Sequence, residues 1–218
     1  MTKVKVCGIT NLSDALISVN YGADQLGFNF YEGSPRYIST ATARSIINEL
    51  PYNVLKVGVF VNEMVEKICE IATVTGLDAI QLHGEEDLHF VDNLQRKSDL
   101  LVIKALRVAP EFRAEDVLGY GAPAILLDGY STKERGGTGA TFDWNIARRV
   151  SSLIEKLYLA GGLSPANVAK AIQIVRPYAV DACSHLESEP GKKDSRQLRR
   201  FIMAAKRAGA MSGQNHLR

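Results

Sequence analysis

Near the N-terminus the chain reads Lys3-Val4-Lys5-Val6-Cys7-Gly8-Ile9-Thr10, and the fold can be worked out from this stretch. Its first four residues alternate polar and β-branched apolar side chains, which predicts a short strand. The strand stops at Cys7, and Thr10 or Asn11 can cap a following helix. Cys7 therefore lies at the carboxyl end of a first strand. The alternative for Cys7 is a buried structural role, because free cysteine is often buried.

The same order of strand and helix recurs along the chain. Further strands are predicted at 25–30, 54–61, 78–82, 100–106, 123–127, 157–160 and 178–180. Helices are predicted at 11–21, 40–50, 63–75, 85–96, 110–119, 143–154, 165–175 and 195–207, with Asn62 and Ser164 as caps of the third and seventh. Eight such units in one α/β chain predict a single-domain (β/α)8 TIM barrel over residues 1–208 and a flexible C-terminal tail over 209–218.

Composition restricts the classes of function. The net charge of +2 comes from 26 basic and 24 acidic residues, so no strong field favours a nucleic-acid partner. The three cysteines form no CxxC pair and no metal-ligand spacing, which predicts neither a bound metal nor a disulfide framework. No apolar run is long enough to cross a membrane or to direct secretion. We expect a soluble cytoplasmic protein, a monomer or alternatively a dimer.

Polar residues recur where the predicted strands end, and in a barrel these ends meet at one rim. The set at this rim is Cys7, Asn29, His83, Asp128, Gly161, Gly162 and Asp181. Cys7 and Asp128 belong to separate strands, so a thiol and a carboxyl can face each other across a small molecule and move protons. Asp128 is alternatively a turn residue before Gly129, and His83 either faces a ligand or is a simple loop residue.

The loop after the seventh predicted strand carries Gly161-Gly162, which predicts a phosphate site. Glycines let the backbone approach an anion, and the next helix would present free N–H groups. The eighth loop adds Ser184 and the basic tract Lys192-Lys193. A tight turn is the alternative for the two glycines. The glycine-rich segment 136–139 is expected to close over the site. Arg36 either binds a carboxylate of the ligand or is solvated.

The chain resembles the phosphoribosylanthranilate isomerase family along nearly its whole length. The resemblance is carried by motifs that follow one another on successive strand ends. They are Lys5-Val6-Cys7-Gly8-Ile9-Thr10, Gly27-Phe28 with Ser34-Pro35-Arg36, Gln81-Leu82-His83-Gly84, Leu127-Asp128, Gly136-Gly137-Thr138-Gly139 with Phe142-Asp143-Trp144, Leu159-Ala160-Gly161-Gly162-Leu163, and Pro190-Gly191-Lys192-Lys193-Asp194.

This resemblance implies an Amadori rearrangement in tryptophan biosynthesis, without cofactor or metal. The substrate would be N-(5-phospho-β-D-ribosyl)anthranilate and the product its 1-deoxyribulose 5-phosphate isomer. By position, Asp128 is similar to the general acid, Cys7 to the general base and Arg36 to the residue that binds the anthranilate carboxylate. The remaining implied contacts are Gln81, His83, Gly139 and Asp181 for the substrate, and Gly161, Gly162, Ser184 and His185 for the phosphate.

The eighth loop departs from the family pattern. After Asp181 the family usually reads Val-Ser-Ser-Gly-Val-Glu, whereas this chain reads Ala182-Cys183-Ser184-His185-Leu186-Glu187. A glycine wraps closely around an anion and tolerates a positive φ, so histidine there predicts weaker phosphate binding. Alternatively, His185 donates to the phosphate and replaces a backbone contact.

Three other functions compete with this interpretation. The sugar isomerase of histidine biosynthesis has the same fold, but that family places aspartate where this chain has Cys7. A non-catalytic barrel that binds a phosphorylated ligand is favoured only by the altered eighth loop. A phosphate-binding aldolase would need a Schiff-base lysine at a strand end, for which Lys104 is the candidate.

Overall fold

Eight parallel strands close on themselves at the centre of the protein. The computed structural model describes residues 1–129 and 142–214. In these residues the barrel strands are β1 (Lys3–Val6), β2 (Gln25–Asn29), β3 (Leu55–Phe60), β4 (Ala79–Leu82), β5 (Leu101–Val108), β6 (Ala124–Gly129), β7 (Leu157–Leu159) and β8 (Ala179–Ala182). Each strand pairs in parallel with the next, and β8 returns to β1 with Lys5 opposite Asp181. The predicted (β/α)8 barrel is confirmed.

Helices connect the strands and cover the outside of the barrel. They are α1 (Leu12–Asn20), α2 (Thr40–Asn48), α3 (Val65–Thr75), α4 (Leu88–Lys97), α5 (Trp144–Leu153), α6 (Val168–Val175) and α7 (Ser195–Gln214), with 3₁₀ helices at Ala114–Tyr120 and Ser184–Leu186. The segment 110–119, predicted as a helix, is therefore a 3₁₀ turn that starts later. A short antiparallel hairpin, β9 (Glu187–Glu189) and β10 (Lys192–Lys193), follows the barrel before α7.

Two predicted helix caps are wrong. Asn62 adopts a positive φ of 52° and its side chain accepts a hydrogen bond from the backbone of Glu85, so it ties two loops together and α3 begins only at Val65. The backbone N–H of Ser164 donates to the side chain of Asn167 over 2.8 Å. The residues after Ser164 therefore form a turn, and α6 begins three residues later than predicted.

The C-terminal boundary also differs from the prediction. Helix α7 continues to Gln214, whereas the sequence predicted its end at Arg207 and a flexible tail from Gly209. Gly209 packs against the backbone of Thr2, so this end of the helix lies against the N-terminus. Residues 215–218 lie outside the described part. None of the described helices has the length and apolar character needed to span a bilayer.

Two hydrophobic layers hold the barrel. The larger one lies between strands and helices, where Phe28, Leu82 and Phe201 are fully buried. The smaller one fills the barrel interior around Tyr158. Inward-facing positions towards the carboxyl ends of the strands are charged instead, and the Lys5 ammonium lies 3.0 Å from a carboxylate oxygen of Asp181. The barrel interior therefore changes from apolar to ionic on approaching one rim.

Candidate active site

A cavity of about 430 Å³ opens at the carboxyl ends of the strands. Ten of the eleven residues that were given a catalytic or binding role from the sequence line it. They are Cys7, Arg36, Gln81, His83, Asp128, Gly161, Gly162, Asp181, Ser184 and His185. Gly139 and the rest of the 136–139 segment lie outside the described residues. The structure thus brings the proposed acid, base and anion-binding residues around one space.

Cys7 is held by backbone contacts on both sides. Its N–H donates to the carbonyl of Ala182 over 3.0 Å, and its own carbonyl accepts from the Lys193 ammonium over 2.6 Å. Gly8 follows with a φ of +75°, and a Cβ there would come within 2.7 Å of the Cys183 sulfur. The glycine after Cys7 is therefore required for the chain to turn between these neighbours.

The surroundings of Cys7 favour its thiolate. A hydrogen bond from the Cys183 thiol holds the pKa of Cys7 well below its ordinary value. Burial opposes this shift, and the positive charges of Lys5 and Lys193 act in the same direction as the hydrogen bond. The pKa of Cys183 is raised by its hydrogen bond to Cys7 and by burial. At neutral pH the proton of this pair therefore resides on Cys183.

Lys5 and Asp181 form an ion pair beneath Cys7. Burial disfavours the Lys5 ammonium, but the charges of Asp181 and the Cys7 thiolate outweigh it and raise the pKa of Lys5. Burial raises the pKa of Asp181 to about 6, assisted by the negative charges of Cys7 and Asp128 and opposed by Lys5. Lys5 therefore remains a cation next to the thiolate throughout the physiological range.

A second ionic cluster lies behind Cys7, centred on Glu187 of the β9–β10 hairpin. Its carboxylate accepts from Arg36 Nε and Nη2 at 3.0 and 2.7 Å and from Lys193 Nζ at 2.8 Å. These hydrogen bonds hold the pKa of Glu187 below its ordinary value although burial would raise it. Arg36 lines the cavity, but two of its three nitrogens are committed to Glu187; within the described residues Nη1 has no hydrogen-bond partner.

Asp128 is placed by short-range backbone contacts. Its Oδ1 accepts from the N–H of Gly129 over 2.8 Å, and its Oδ2 lies 3.4 Å from Nε2 of His83. The His83 Nδ1 is 2.9 Å from the amide nitrogen of Gln81. Because that amide donates, the neutral His83 ring carries its proton on Nε2, on the side of Asp128.

Gly161 packs directly against the strand end that carries Asp128. A Cβ on Gly161 would lie 2.3 Å from the nitrogen of Gly129 and 2.9 Å from its Cα, and Gly161 has a φ of +76°. Gly162 also has a positive φ, of 63°. Gly161 therefore fixes the position of Asp128, in addition to any role in binding an anion.

The eighth loop corrects two expectations. The described non-glycine residues with positive φ are Asn62 and Arg176, so His185 adopts no left-handed conformation and the strain argument against it is wrong. His185 lies in the 3₁₀ helix and lines the cavity beside Ser184.

The basic tract of this loop, Lys192-Lys193, is not part of the cavity lining. Lys193 is committed to Cys7 and Glu187, and Lys192 is exposed and pairs with Glu189.

Lys104, the candidate for a Schiff-base lysine, does not line the cavity. Its ammonium is buried, 2.7 Å from a carboxylate oxygen of Glu86 and 2.8 Å from the carbonyl of Gly84. This ammonium is therefore an ion-pair partner rather than a nucleophile facing a ligand.

Sequence reasoning did not find several residues that support the site. Lys5 and Glu187 were not singled out, and Lys193 was assigned to a phosphate rather than to Cys7. Their partners are distant in sequence: Lys5 and Asp181 are 176 positions apart, and Lys193 and Cys7 are 186 apart. The one available signal was Lys5 itself, because a lysine that alternates with valines and points into a barrel needs a partner.

Comparison with known proteins agrees with this geometry. Residues 4–204 match the family model described as N-(5'-phosphoribosyl)anthranilate isomerase. The curated N-(5'-phosphoribosyl)anthranilate isomerase of Thermotoga maritima is 50% identical over 206 residues, which is 94% of this chain and 99% of that protein. The enzyme of the same name from Pelobacter propionicus is 48% identical and covers 94% of this chain and 96% of its own.

Solved structures give the same result. The crystal structure of phosphoribosyl anthranilate isomerase from Thermotoga maritima matches with a TM-score of 0.88 at 47% identity, covering 94% of this chain and 99% of that one. A crystal structure of phosphoribosyl anthranilate isomerase in complex with reduced 1-(o-carboxyphenylamino)-1-deoxyribulose 5-phosphate matches with a TM-score of 0.85 at 46% identity and the same coverage. By family model, sequence identity and fold, this chain belongs to the N-(5'-phosphoribosyl)anthranilate isomerase family.

Proposed function

We propose that this protein catalyses the Amadori rearrangement of N-(5-phospho-β-D-ribosyl)anthranilate to 1-(2-carboxyphenylamino)-1-deoxy-D-ribulose 5-phosphate by general acid–base catalysis. One observation carries the proposal: Cys7, directly after β1, and Asp128 on β6 line the same cavity as Gly161 and Ser184. A proton donor, a proton acceptor and an anion-binding loop are the groups that this reaction needs.

Asp128 and Cys7 act in sequence. Asp128 gives its proton to the ring oxygen of the ribose, the bond between that oxygen and C1 breaks, and the nitrogen lone pair forms a Schiff base at C1. The Cys7 thiolate then takes the proton from C2, which gives an enolamine. The enolamine becomes the ketone when C1 gains a proton and the C2 hydroxyl loses its proton. Neither step requires an electron acceptor or a metal, so the protein's own side chains suffice.

The other lining residues orient the substrate. Arg36 keeps Nη1 available beside the cavity, and a guanidinium N–H is suited to the anthranilate carboxylate. Gln81, His83 and Asp181 offer hydrogen-bonding groups for the ribose hydroxyls, and we assign Gly139 to the same set because of the family resemblance alone. The phosphate is assigned to the backbone N–H groups of Gly161 and Gly162, together with Ser184 and His185.

The test is isomerase turnover on freshly generated phosphoribosylanthranilate, followed by loss of its anthranilate-type fluorescence. Wild type should be active without added metal or cofactor. Cys7→Ser and Asp128→Asn should each lose about 10²- to 10⁴-fold in kcat, the size of one general acid or base. Cys69→Ser, on the outer helix α3, is the matched control and should keep full activity. A folded but inactive wild type would favour the non-catalytic ligand-binding barrel instead.

A further inference from the structure

Cys7 and Cys183 occupy equivalent positions at the ends of neighbouring strands. The β1–β8 register pairs Val6 with Ala182, and the Cys7 N–H donates to the Ala182 carbonyl, so Cys7 and Cys183 are the next pair along. Paired strands lie about 4.8 Å apart, and a disulfide needs Cα atoms roughly 4.4–6.8 Å apart. We propose that Cys7 and Cys183 form a site of reversible oxidation, at which peroxide converts them into a disulfide inside the active-site cavity.

Both sulfur atoms can be reached by a small oxidant. Cys7 and Cys183 are free, partly exposed and line the cavity, which is open at the barrel rim. Hydrogen peroxide is small enough to enter any space that admits a phosphorylated sugar. Cys69, the third cysteine, does not line this cavity.

The charges around the pair assign a different role to each sulfur. Lys5 and Lys193 stabilise a Cys7 thiolate, which is the form that attacks peroxide. Cys183 lies 3.5 Å from a carboxylate oxygen of Glu187, which disfavours a negative charge on its sulfur. Cys7 is therefore the attacking thiolate and Cys183 the resolving thiol. Lys193, 3.7 Å from the Cys183 sulfur, can stabilise the thiolate as it forms during resolution.

The chemistry balances with peroxide as the oxidant. The Cys7 thiolate attacks one peroxide oxygen, the O–O bond breaks, and a sulfenic acid and one water result after protonation. The Cys183 sulfur then attacks the Cys7 sulfur, the S–O bond breaks, and a second water leaves. The two thiols together lose two electrons and two protons, and the peroxide is reduced to two waters. A dithiol such as dithiothreitol reverses the bond by exchange.

The consequence for catalysis rests on the proposed function. A Cys7 sulfur in a disulfide has no thiolate to take the C2 proton, so the oxidised protein loses isomerase activity and regains it on reduction. Cys183 also protects the active site, because a sulfenic acid without a resolving thiol proceeds to the sulfinic acid, which dithiothreitol does not reduce. A serine at 183 would give neither the disulfide nor this protection.

The experiment treats wild type, Cys183→Ser and Cys69→Ser with hydrogen peroxide, then with dithiothreitol. Circular dichroism and untreated turnover establish that each variant is folded, and each activity is expressed relative to its own untreated value. Peptide mass mapping under non-reducing conditions identifies any bond between Cys7 and Cys183. Because the mapping does not depend on turnover, it decides the cross-link even if the isomerase assignment fails.

We expect a bond between Cys7 and Cys183 within one chain of wild type and of Cys69→Ser, with activity that returns on reduction. In Cys183→Ser we expect no such bond, sulfinic acid on Cys7, and a recovered activity several-fold lower than in wild type. The proposal is overturned if wild type accumulates sulfinic acid on Cys7 without the bond. It is equally overturned if the cross-link joins two chains, or if Cys183→Ser recovers as fully as wild type.

Discussion

The two halves of the proposed catalytic pair, Cys7 and Asp128, are held by different forces. The neighbours of Cys7 are ions. Lys5 and Lys193 are the nearest cations, and Glu187 lies behind them and pairs with Lys193 and Arg36. Around Asp128 the contacts are with backbone and neutral groups, namely the N–H of Gly129 and the close approach of Gly161. The base region is organised by charge and the acid region by packing.

This difference matches the two proton transfers that we propose. A general base must be ionised before the substrate arrives, and nearby cations achieve that by lowering a thiol pKa. A general acid must hold a proton, so cations beside it would be harmful, and a carboxyl held by backbone packing keeps its position without them. The two regions should therefore respond differently to loss of charge and to added volume.

The largest expected effect is on stability, from removing the central charge of the base region. Glu187→Gln leaves Arg36 and the fully buried Lys193 without their carboxylate. Breaking a buried ion pair costs about 3–5 kcal/mol, and the free energy of unfolding in urea should fall by that amount. Glu189→Gln, on the same strand β9 but 58% exposed on its side chain, is the matched control and should leave it unchanged. Equal losses in both variants would contradict the ionic account of this region.

The second prediction concerns the acid region, where a substitution at Gly161 adds volume next to the strand end that carries Asp128. Gly161→Ala places a methyl group 2.3 Å from the Gly129 nitrogen at a φ of +76°. The strain and overpacking together should cost about 3 kcal/mol. A displaced Asp128 should lower kcat on the order of 10²-fold.

Gly119→Ala is the control for this substitution, because a Cβ there meets no atom within 4 Å in the described structure. Urea unfolding and turnover measure both consequences. Reduced stability with an unchanged kcat would mean that Gly161 does not determine the position of Asp128.

Sequence could predict the elements of these two regions but not the forces that hold them. The strand ends with Cys7, Asp128 and Gly161 follow from local alternation and turn residues. The ionic pairs do not, because they depend on β8 closing against β1 and on a hairpin folding back over Cys7. The caps predicted at Asn62 and Ser164 are wrong for a related reason. Asn62 contacts the loop at Glu85, and Ser164 begins a local turn, so both helices begin later than predicted.

A smaller effect concerns the pH dependence of turnover. Lys193 lowers the pKa of Cys7 through its charge. Lys193→Met removes that charge, so the pKa of Cys7 rises and the thiolate fraction at a given pH falls. The limb of the kcat/KM profile carried by the thiolate should then move to higher pH by about one unit. Lys192→Met, whose side chain is 69% exposed, is the control and should leave this limb in place. A uniform fall in activity with an unmoved limb would indicate a structural role alone.

The smallest expected effect lies between the two regions, at the end of the cavity that we propose binds the phosphate. His185 has no positive φ, so replacing it with glycine relieves no backbone strain, and its imidazole lines the cavity beside Ser184. If the ring donates to the phosphate, His185→Gly removes one hydrogen bond worth about 1 kcal/mol, and KM should rise about fivefold with kcat unchanged. His185→Asn keeps a donor at this position and should restore much of the affinity. A KM that falls in His185→Gly would mean that histidine weakens phosphate binding, because the smaller residue would then let the backbone N–H groups approach the anion more closely. An unchanged KM would contradict both roles of His185.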